Sequence, residues 1–367
     1  MRLALRELWR RPGRFAIAGG VLTFITLLLL FLGGLLDGLY LGSTGVLRAQ
    51  EPALVVYADD ARLSVIRSQL DAPTREAIEG VDGVEATYGI GVSLLAALPP
   101  GADAGSDDVV DVAVIGYEGG VAGVDDPPAA GEAYADSTLE GDVDVGDTLE
   151  IGPENVPVEV IGWVDDTSYL NQAGLWVEAA TWREILAASI PAAAVGEDTF
   201  QVLTVEVAEG ADADEVAAAI DDATGTTETV TTEEAILALP GVSQQTSTFN
   251  AIIGTTFFIA AVVTALFFAL VTIERVALYG VLKAVGASSG QIAAGLAAQA
   301  VTVAVGSFLI GGALMLLAAQ VLPDSIPLRL EVSRAVQSLG GLVLASVVGA
   351  AISFRRVIRI DPASAIS

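Results

Sequence analysis

The sequence predicts an α-helical membrane protein. Four transmembrane helices are arranged one plus three, with a large α+β extracytoplasmic domain inserted between the first and the second. Two observations carry this. Four apolar runs, about Phe15–Leu36, Ile252–Ile273, Ile292–Val321 and Val336–Phe354, are long enough to span, since ~20 apolar residues cross a hydrocarbon core of ~30 Å. Charge is also segregated around those runs. Arg2, Arg6, Arg10, Arg11 and Arg14 precede the first, Arg275 and Lys283 follow the second, and Arg355, Arg356 and Arg359 follow the last. From Leu41 to Asn250 there are 40 Asp or Glu against five Arg: Arg48, Arg62, Arg67, Arg75 and Arg183. Short basic segments stay cytoplasmic, whereas a long loop crosses regardless of its charge. The expected topology has both termini cytoplasmic, in a multi-pass protein of the cell (plasma) membrane.

Along the chain, residues 1–14 read as a cytoplasmic N-terminal segment and 15–40 as the first transmembrane helix. The first run is too long for the apolar part of a signal peptide, and no small-x-small cleavage site follows it. Residues 41–245 read as the extracytoplasmic domain with its stalk, and 246–273 as the second span. Residues 274–291 form a cytoplasmic segment, and 292–321 the third span, which is long enough to tilt or protrude. An external loop follows at 322–335, with Pro323 and Pro327 as breakers. The fourth span is 336–354, and 355–367 is a cytoplasmic tail.

Within the inserted domain, strands are expected at Ala53–Tyr57, Val109–Tyr117, Thr148–Ile151, Pro157–Val164, Phe200–Ala208 and Glu228–Val230, from β-branched or alternating composition. Helices are expected at Pro73–Glu79, with Asp71 as its cap, at Glu178–Ala187, at Asp212–Ala223 and at Thr232–Leu239. The pattern suggests two α+β lobes with a boundary near Gly116–Gly131, and no clear internal repeat. Asp37–Leu47 and the stretch through Pro240–Gly241 are expected to continue the first and second spans as a stalk.

Composition excludes several functions. The chain is 53% apolar with a mean hydropathy of +0.62. Its net charge of −29 repels nucleic acid, so no nucleic-acid partner is expected. A single lysine, Lys283, and a surplus of carboxylates suit a halophilic microbe. Cysteine and histidine are both absent. That removes thiol chemistry, disulfides, the commonest general base and the commonest metal ligand. Leu282 precedes the sole lysine, so no phosphate-binding G-x-x-x-x-G-K-[ST] loop exists. Asp142, Asp144 and Asp147 miss the spacing of a calcium loop and read as a solvated turn. Asp37 and Glu274 sit at span ends rather than at the midplane, which argues against a proton relay. No catalytic, cofactor-binding or metal-ligating residue is expected.

Two patterns stand out in and beside the spans. Gly341, Ala345 and Gly349 fall on one face of the fourth span, and Ser307 with Gly311 on one face of the third. Such spacing lets helix backbones approach closely. In the cytoplasmic segment, Ala277, Leu278, Val281, Leu282 and Val285 form an apolar stripe that fits a short amphipathic helix ended by Gly286. Such a helix lies in the membrane interface or docks in a groove on a partner.

This segment, with Gly280–Ser288 reading GVLKAVGAS, resembles the loop after the second span of FtsX-like, MacB-type ABC transporter permeases. The one-plus-three layout and the tail RRVIRIDPASAI, Arg355–Ile366, are similar to that family too. Arg67–Leu70, RSQL, and Pro240–Asn250, PGVSQQTSTFN, resemble the subgroup of heme-export (HrtB) and DevC permeases. The resemblance implies a permease subunit that exports an amphiphile such as heme or a lipid-like compound. It also implies a homodimer paired with a dimer of separate ABC ATPase subunits, which bind the ATP. Arg275, Leu278, Tyr279, Gly280, Val281, Leu282, Lys283, Ala284, Gly286 and Ala287 would form the helix that couples to the ATPase. The alternatives are a non-transporting regulator of a surface enzyme and a lipoprotein-release subunit. With no His or Cys, only Tyr, Met and carboxylates remain as heme ligands.

Overall fold

A computed structural model describes residues 12–49, 52–102, 109–119, 121, 126–274, 276–323 and 326–358. The expected Arg2, Arg6, Arg10, Arg11, Arg275 and Arg359 lie outside the described residues, as does most of the tail motif. The chain runs α1 (Pro12–Ala49), β1 (Leu54–Ala58), α2 (Ala72–Glu79), β2 (Val84–Leu98), β3 (Val110–Tyr117), β4 (Glu132–Asp136), β5 (Thr148–Ile151), β6 (Val156–Val164) and β7 (Ala173–Glu178). It continues with α3 (Ala179–Ser189), β8 (Val202–Val207), α4 (Ala213–Thr224), β9 (Thr227–Thr231), α5 (Thr232–Ala238), α6 (Val242–Glu274), α7 (Val276–Ala284), α8 (Ser289–Ala319) and α9 (Val332–Ile358).

Two compact units result: Leu39–Gln244, and the remainder of the chain on either side of it. In the remainder, α1, α6, α8 and α9 each contain a stretch long and apolar enough to cross a membrane. The helix α9 begins at Val332, inside the stretch read from sequence as external loop. Glu331 accepts from the Ala335 amide and so starts the first turn there.

The inserted unit is built on one nine-stranded sheet, ordered β3-β7-β4-β6-β5-β2-β8-β1-β9, in which β3 also pairs with β2. Six strands therefore close on themselves: β2, β3, β7, β4, β6 and β5. A closed ring leaves no edge. The other three strands extend the first half of β2 as an open sheet. The strand β2 does both jobs. Val84–Ile90 pairs with β8, and Ile90–Ala97 pairs with β3.

The expected lobe boundary near Gly116–Gly131 is thus wrong. There are two α+β portions, but β2 runs through both, and the chain leaves the open sheet, builds the ring and returns. Local composition cannot reveal a strand shared in this way. Three strands escaped the sequence reading: β2, β4 and β7. In β2 and β7 apolar residues do not alternate with polar ones, because much of each strand is covered on both faces, whereas β4 is only five residues long with two alanines as its buried apolar positions. The expected strand β3 is also covered on both faces: Val112 and Val114 face one core while Ala113, Ile115 and Tyr117 face another.

Local chemistry fixes the other elements. Asp71 accepts from the Thr74 amide at the start of α2. Asp212 accepts from the Asp214 and Glu215 amides at the start of α4. Such caps satisfy the unpaired amides of a first turn and are worth ~0.5–2 kcal/mol each. Thr231 and Glu234 form a reciprocal capping box before α5. A glycine pair seats α3: Gly91 and Gly116 are cross-strand partners, and a Cβ on either would collide with Trp182. The Trp182 indole donates to Ser93 Oγ at 2.9 Å, so the ring lies flat over that notch. Val46 and Leu47 of α1, with Leu239 and Val242, join the core beneath β1 and β3.

Candidate functional site

The helix α6 ends at Glu274, and the short helix α7 follows. The sequence stops α7 sharply. Gly286 takes φ +104°, its amide donates to Lys283 O at 3.0 Å, and the Ala287 amide donates to Leu282 O at 2.9 Å. That is a Schellman cap, which a residue with a Cβ disfavours. Ser288 and Gln291 then form a capping box that starts α8. The short connection 285–288 between α7 and α8 is therefore closed on both sides by its own punctuation.

Burial sorts the side chains. Tyr279 is 7% exposed and Gly280 is buried. Leu278 (50%), Val281 (51%), Leu282 (37%) and Val285 (82%) are exposed. Residues 278, 281, 282 and 285 share one helix face, so α7 presents an apolar stripe outward. Lys283 is half-buried, Ala287 is half-buried and Gly286 is exposed. Arg275 lies outside the described residues, and Ala284 is the last residue of α7. Among the described residues, α7 carries an exposed apolar stripe and no cluster of acids, bases and nucleophiles.

The small residues of the spans meet other spans. A Cβ on Gly349 would fall on the carbonyl oxygen of Ala261 and lie 2.9 Å from the Ala265 amide nitrogen. One on Gly341 would meet the tip of the Phe257 ring at 2.5 Å. Ala345 is buried in the cluster formed by Leu22, Ile25, Leu29, Ala260, Ala304 and Leu342. On the third span, Ser307 Oγ donates to Gly19 O at 3.0 Å, and a Cβ on Gly311 would lie 2.8 Å from Thr23 O. Thus α9 lies against α6, and α8 against α1. Thr26 and Thr264 bond their hydroxyls to the carbonyls of Leu22 and Ala260 on their own helices. This is how polar side chains survive within a bilayer, and it leaves their carbon atoms to contact Gly311 and Gly349.

Sequence reasoning missed one charged contact. Asp37, at the end of the first span, accepts from Arg334 Nε at 3.2 and 3.0 Å and from its Nη2 at 2.5 Å. Beside it, Gly33 and Gly34 leave room for the Arg334 stem and for Arg329–Leu330, and Gly38 for the Pro327 carbonyl. The Arg329 amide donates to Gly34 O at 3.0 Å. The signal was present as Gly33, Gly34 and Gly38 around the lone acid of the span, but the partner lies 297 residues away.

In the inserted unit, Asp136 is fully buried and accepts four bonds, from the amides and hydroxyls of Thr138 and Thr167. Hydrogen bonds from Thr87 and then Arg75 hold the Glu79 carboxyl below its usual range. Burial pushes the Tyr57 and Tyr169 hydroxyls up, with Tyr169 adding to the rise at Tyr57. Asp147 accepts from the Asp144 amide, so the acidic turn is closed by its own carboxylate.

Length, hydropathy and connectivity define a multi-pass membrane protein with four spans and an α/β domain between the first and second. Residues 250–362 match the family model described as FtsX-like permease C-terminal. The chain is 26% identical over 139 residues to the HrtB permease of a hemin transport system in Staphylococcus epidermidis, a match covering 38% of this chain and 40% of that protein. It is 37% identical over 111 residues to an uncharacterized ABC transporter permease of Mycobacterium bovis, covering 30% and 31%. The matched stretches thus span well under half of either relative. Among solved structures, the extracellular domain of YknZ, a noncanonic ABC-type transporter from Gram-positive bacteria, aligns with TM-score 0.33 at 16% identity, covering 48% of this chain and 98% of that one. The periplasmic region of MacB from Actinobacillus actinomycetemcomitans aligns with TM-score 0.33 at 11% identity, covering 50% and 90%.

Proposed function

We propose that this chain is the membrane subunit of an ABC-type exporter of the FtsX/MacB type. ATP is bound and hydrolysed by a separate ATPase dimer, and two copies of this chain form the membrane part. The observation that carries the reading is α7: a short helix ended by a Schellman cap, with Leu278, Val281, Leu282 and Val285 exposed. Arg275, Leu278, Tyr279, Gly280, Val281, Leu282, Lys283, Ala284, Gly286 and Ala287 are the residues assigned to coupling. Both termini and α7 are cytoplasmic in this reading, because the basic residues flank them. The inserted domain is external and acidic.

The cargo is an amphiphile drawn from the membrane or the outer face. Between heme and lipid-like compounds, the residues favour the latter. No His or Cys exists, and Tyr57, Tyr117, Tyr169, Tyr279 and Met315 are buried, which leaves Tyr40, Tyr88, Tyr134 and carboxylates as the accessible donors. A second reading, as a transmitter of motion that regulates a surface enzyme, draws support from the tight contacts at Gly311 and Gly349, which leave little passage between those spans of one copy.

Burial of a leucine side chain is worth ~1.5–3 kcal/mol. Leu282→Asp should therefore release a co-expressed ATPase while leaving the inserted domain folded. Normal co-purification of the ATPase with that variant removes the coupling role.

A further inference from the structure

The inserted unit holds 40 carboxylates and five arginines, so every arginine has acidic neighbours to choose from. Three are engaged. Arg48 donates to Thr44 and to the Asp166 carbonyl, Arg75 pairs with Glu79 and Glu118, and Arg183 stacks on Phe200 at 4.5 Å. The other two, Arg62 and Arg67, form no ion pair or hydrogen bond through their side chains with any described residue. Both sit on one loop between β1 and α2, and both are exposed. On the same loop Asp59 and Asp60 are exposed and equally unpaired, and Ile66 is 49% exposed.

The loop is held rigidly. Ala61 and Val65 are buried, and buried Ser68 accepts from the Ala58 amide at 2.9 Å. Arg62 and its neighbour Leu63 take left-handed φ values of +53° and +54°, a conformation residues with a Cβ rarely adopt. The buried anchors fix the backbone in two short turns and leave two acids, two bases and one isoleucine facing out.

We propose that this loop is a self-complementary contact between the inserted domains of two copies of this chain. Arg62 and Arg67 of each copy meet Asp59 and Asp60 of the other, around the two Ile66 side chains. A two-fold contact uses the same patch on both copies, so a patch carrying equal numbers of both signs pairs with itself. Two domains of net charge −35 each, five arginines against 40 acids, repel one another, and the four unpaired side chains Asp59, Asp60, Arg62 and Arg67 form a patch in which the two signs balance. An anionic membrane surface is the poorer fit. Such surfaces are read by clusters of about 4–8 basic residues, and this loop carries only two, against Asp59, Asp60 and the capping Asp71. The proposal rests on the two-copy reading above.

The test uses the full-length protein in lipid nanodiscs with Ile66→Cys, since the native chain has no cysteine. Mild oxidation should give a disulfide-linked dimer. Arg62→Glu with Arg67→Glu, and separately Asp59→Arg with Asp60→Arg, should each lower the yield about tenfold through like-charge contact. Arg62→Lys with Arg67→Lys should retain it. Mixing differently tagged copies of the two charge-reversed variants should restore a mixed dimer, which misfolded variants would not do. Light scattering on the same samples separates the two readings. A dimer that does not cross-link at position 66, or charge reversals without effect or without recovery on mixing, overturns the loop contact alone. A monomer overturns the two-copy reading with it. Protection of the cysteine that follows anionic lipid content, instead of protein pairing, also overturns the proposal in favour of a membrane contact.

Discussion

Replacing Gly349 by alanine should destabilise the four-span unit more than replacing Gly341 by alanine, although both glycines lie on the same face of α9. The added methyl meets different obstacles. At Gly341 it meets the far end of the Phe257 side chain, which can turn aside. At Gly349 it meets the Ala261 carbonyl and the Ala265 amide nitrogen, which move only if α6 moves as a whole. Both substitutions gain the same intrinsic helix preference of alanine over glycine, ~1 kcal/mol, so that contribution cancels in the comparison. Overpacking that forces backbone shifts costs ~1–3 kcal/mol, and this is the expected difference. A single Ala304→Cys reporter, buried between spans, should label with a fluorescent maleimide only as the bundle opens in a detergent titration. The midpoint should fall further for Gly349→Ala than for Gly341→Ala. Equal midpoints, or a larger loss at Gly341, would refute the argument that backbone contact at Gly349 sets the α6–α9 approach.

Three further outcomes follow from the same contacts. Arg334→Ala should cost about 1–3 kcal/mol, because it strands a largely buried Asp37; a double-mutant cycle with Asp37→Ala should show coupling above ~0.5 kcal/mol, and additive effects would argue that the pair is ornamental. The inserted domain should melt at lower temperature as salt is withdrawn, since the Debye length grows from ~3 Å at 1 M to ~8 Å at 0.15 M and lets its carboxylates repel; fluorescence of Trp163, Trp176 and Trp182 in the intact protein reports this, and a salt-independent melt removes the halophilic reading. Glu79, whose folded pKa is lowered chiefly by Thr87, adds stability above its unfolded pKa that is lost as pH falls through the folded value; the gap in melting temperature between the native chain and Glu79→Gln should therefore be full at pH 7 and close under acid, and a gap that persists at low pH would place the effect elsewhere.

Much of this architecture could be read from the chain because the signals were local. Asp71, Asp212 and Gly286 each mark a helix end within four residues, and the structure puts a helix end at each; the cap at Ser288, which starts α8 before the expected Ile292, went unread. The four apolar runs needed only length. What could not be read depends on distant partners. The strand β2 contains Gly89 and Gly91 and changes neighbours halfway, so its pattern follows two cores and matches neither period. The ring of six strands joins segments that are far apart in sequence, and the sequence stretch Gly116–Gly131 looked like a boundary because it is rich in glycine and acid. Asp37 was visible as an acid at a span end, whereas Arg334 became its partner only once α1 and α9 were placed. For α7 the stripe was legible, and the exposure of Leu278 and Val285 required the fold.

The central claim is that this chain is driven by nucleotide turnover on another chain through α7. The most direct measurement is ATP hydrolysis in nanodiscs containing the purified chain alone, the chain with its ATPase, and the Leu278→Asp, Leu282→Asp variant with the same ATPase. The account predicts no turnover by the chain alone, turnover in the complex, and loss of complex-dependent turnover in the variant while the inserted domain keeps its melting temperature. Hydrolysis by the chain alone, or a variant complex as active as the native one, would contradict it.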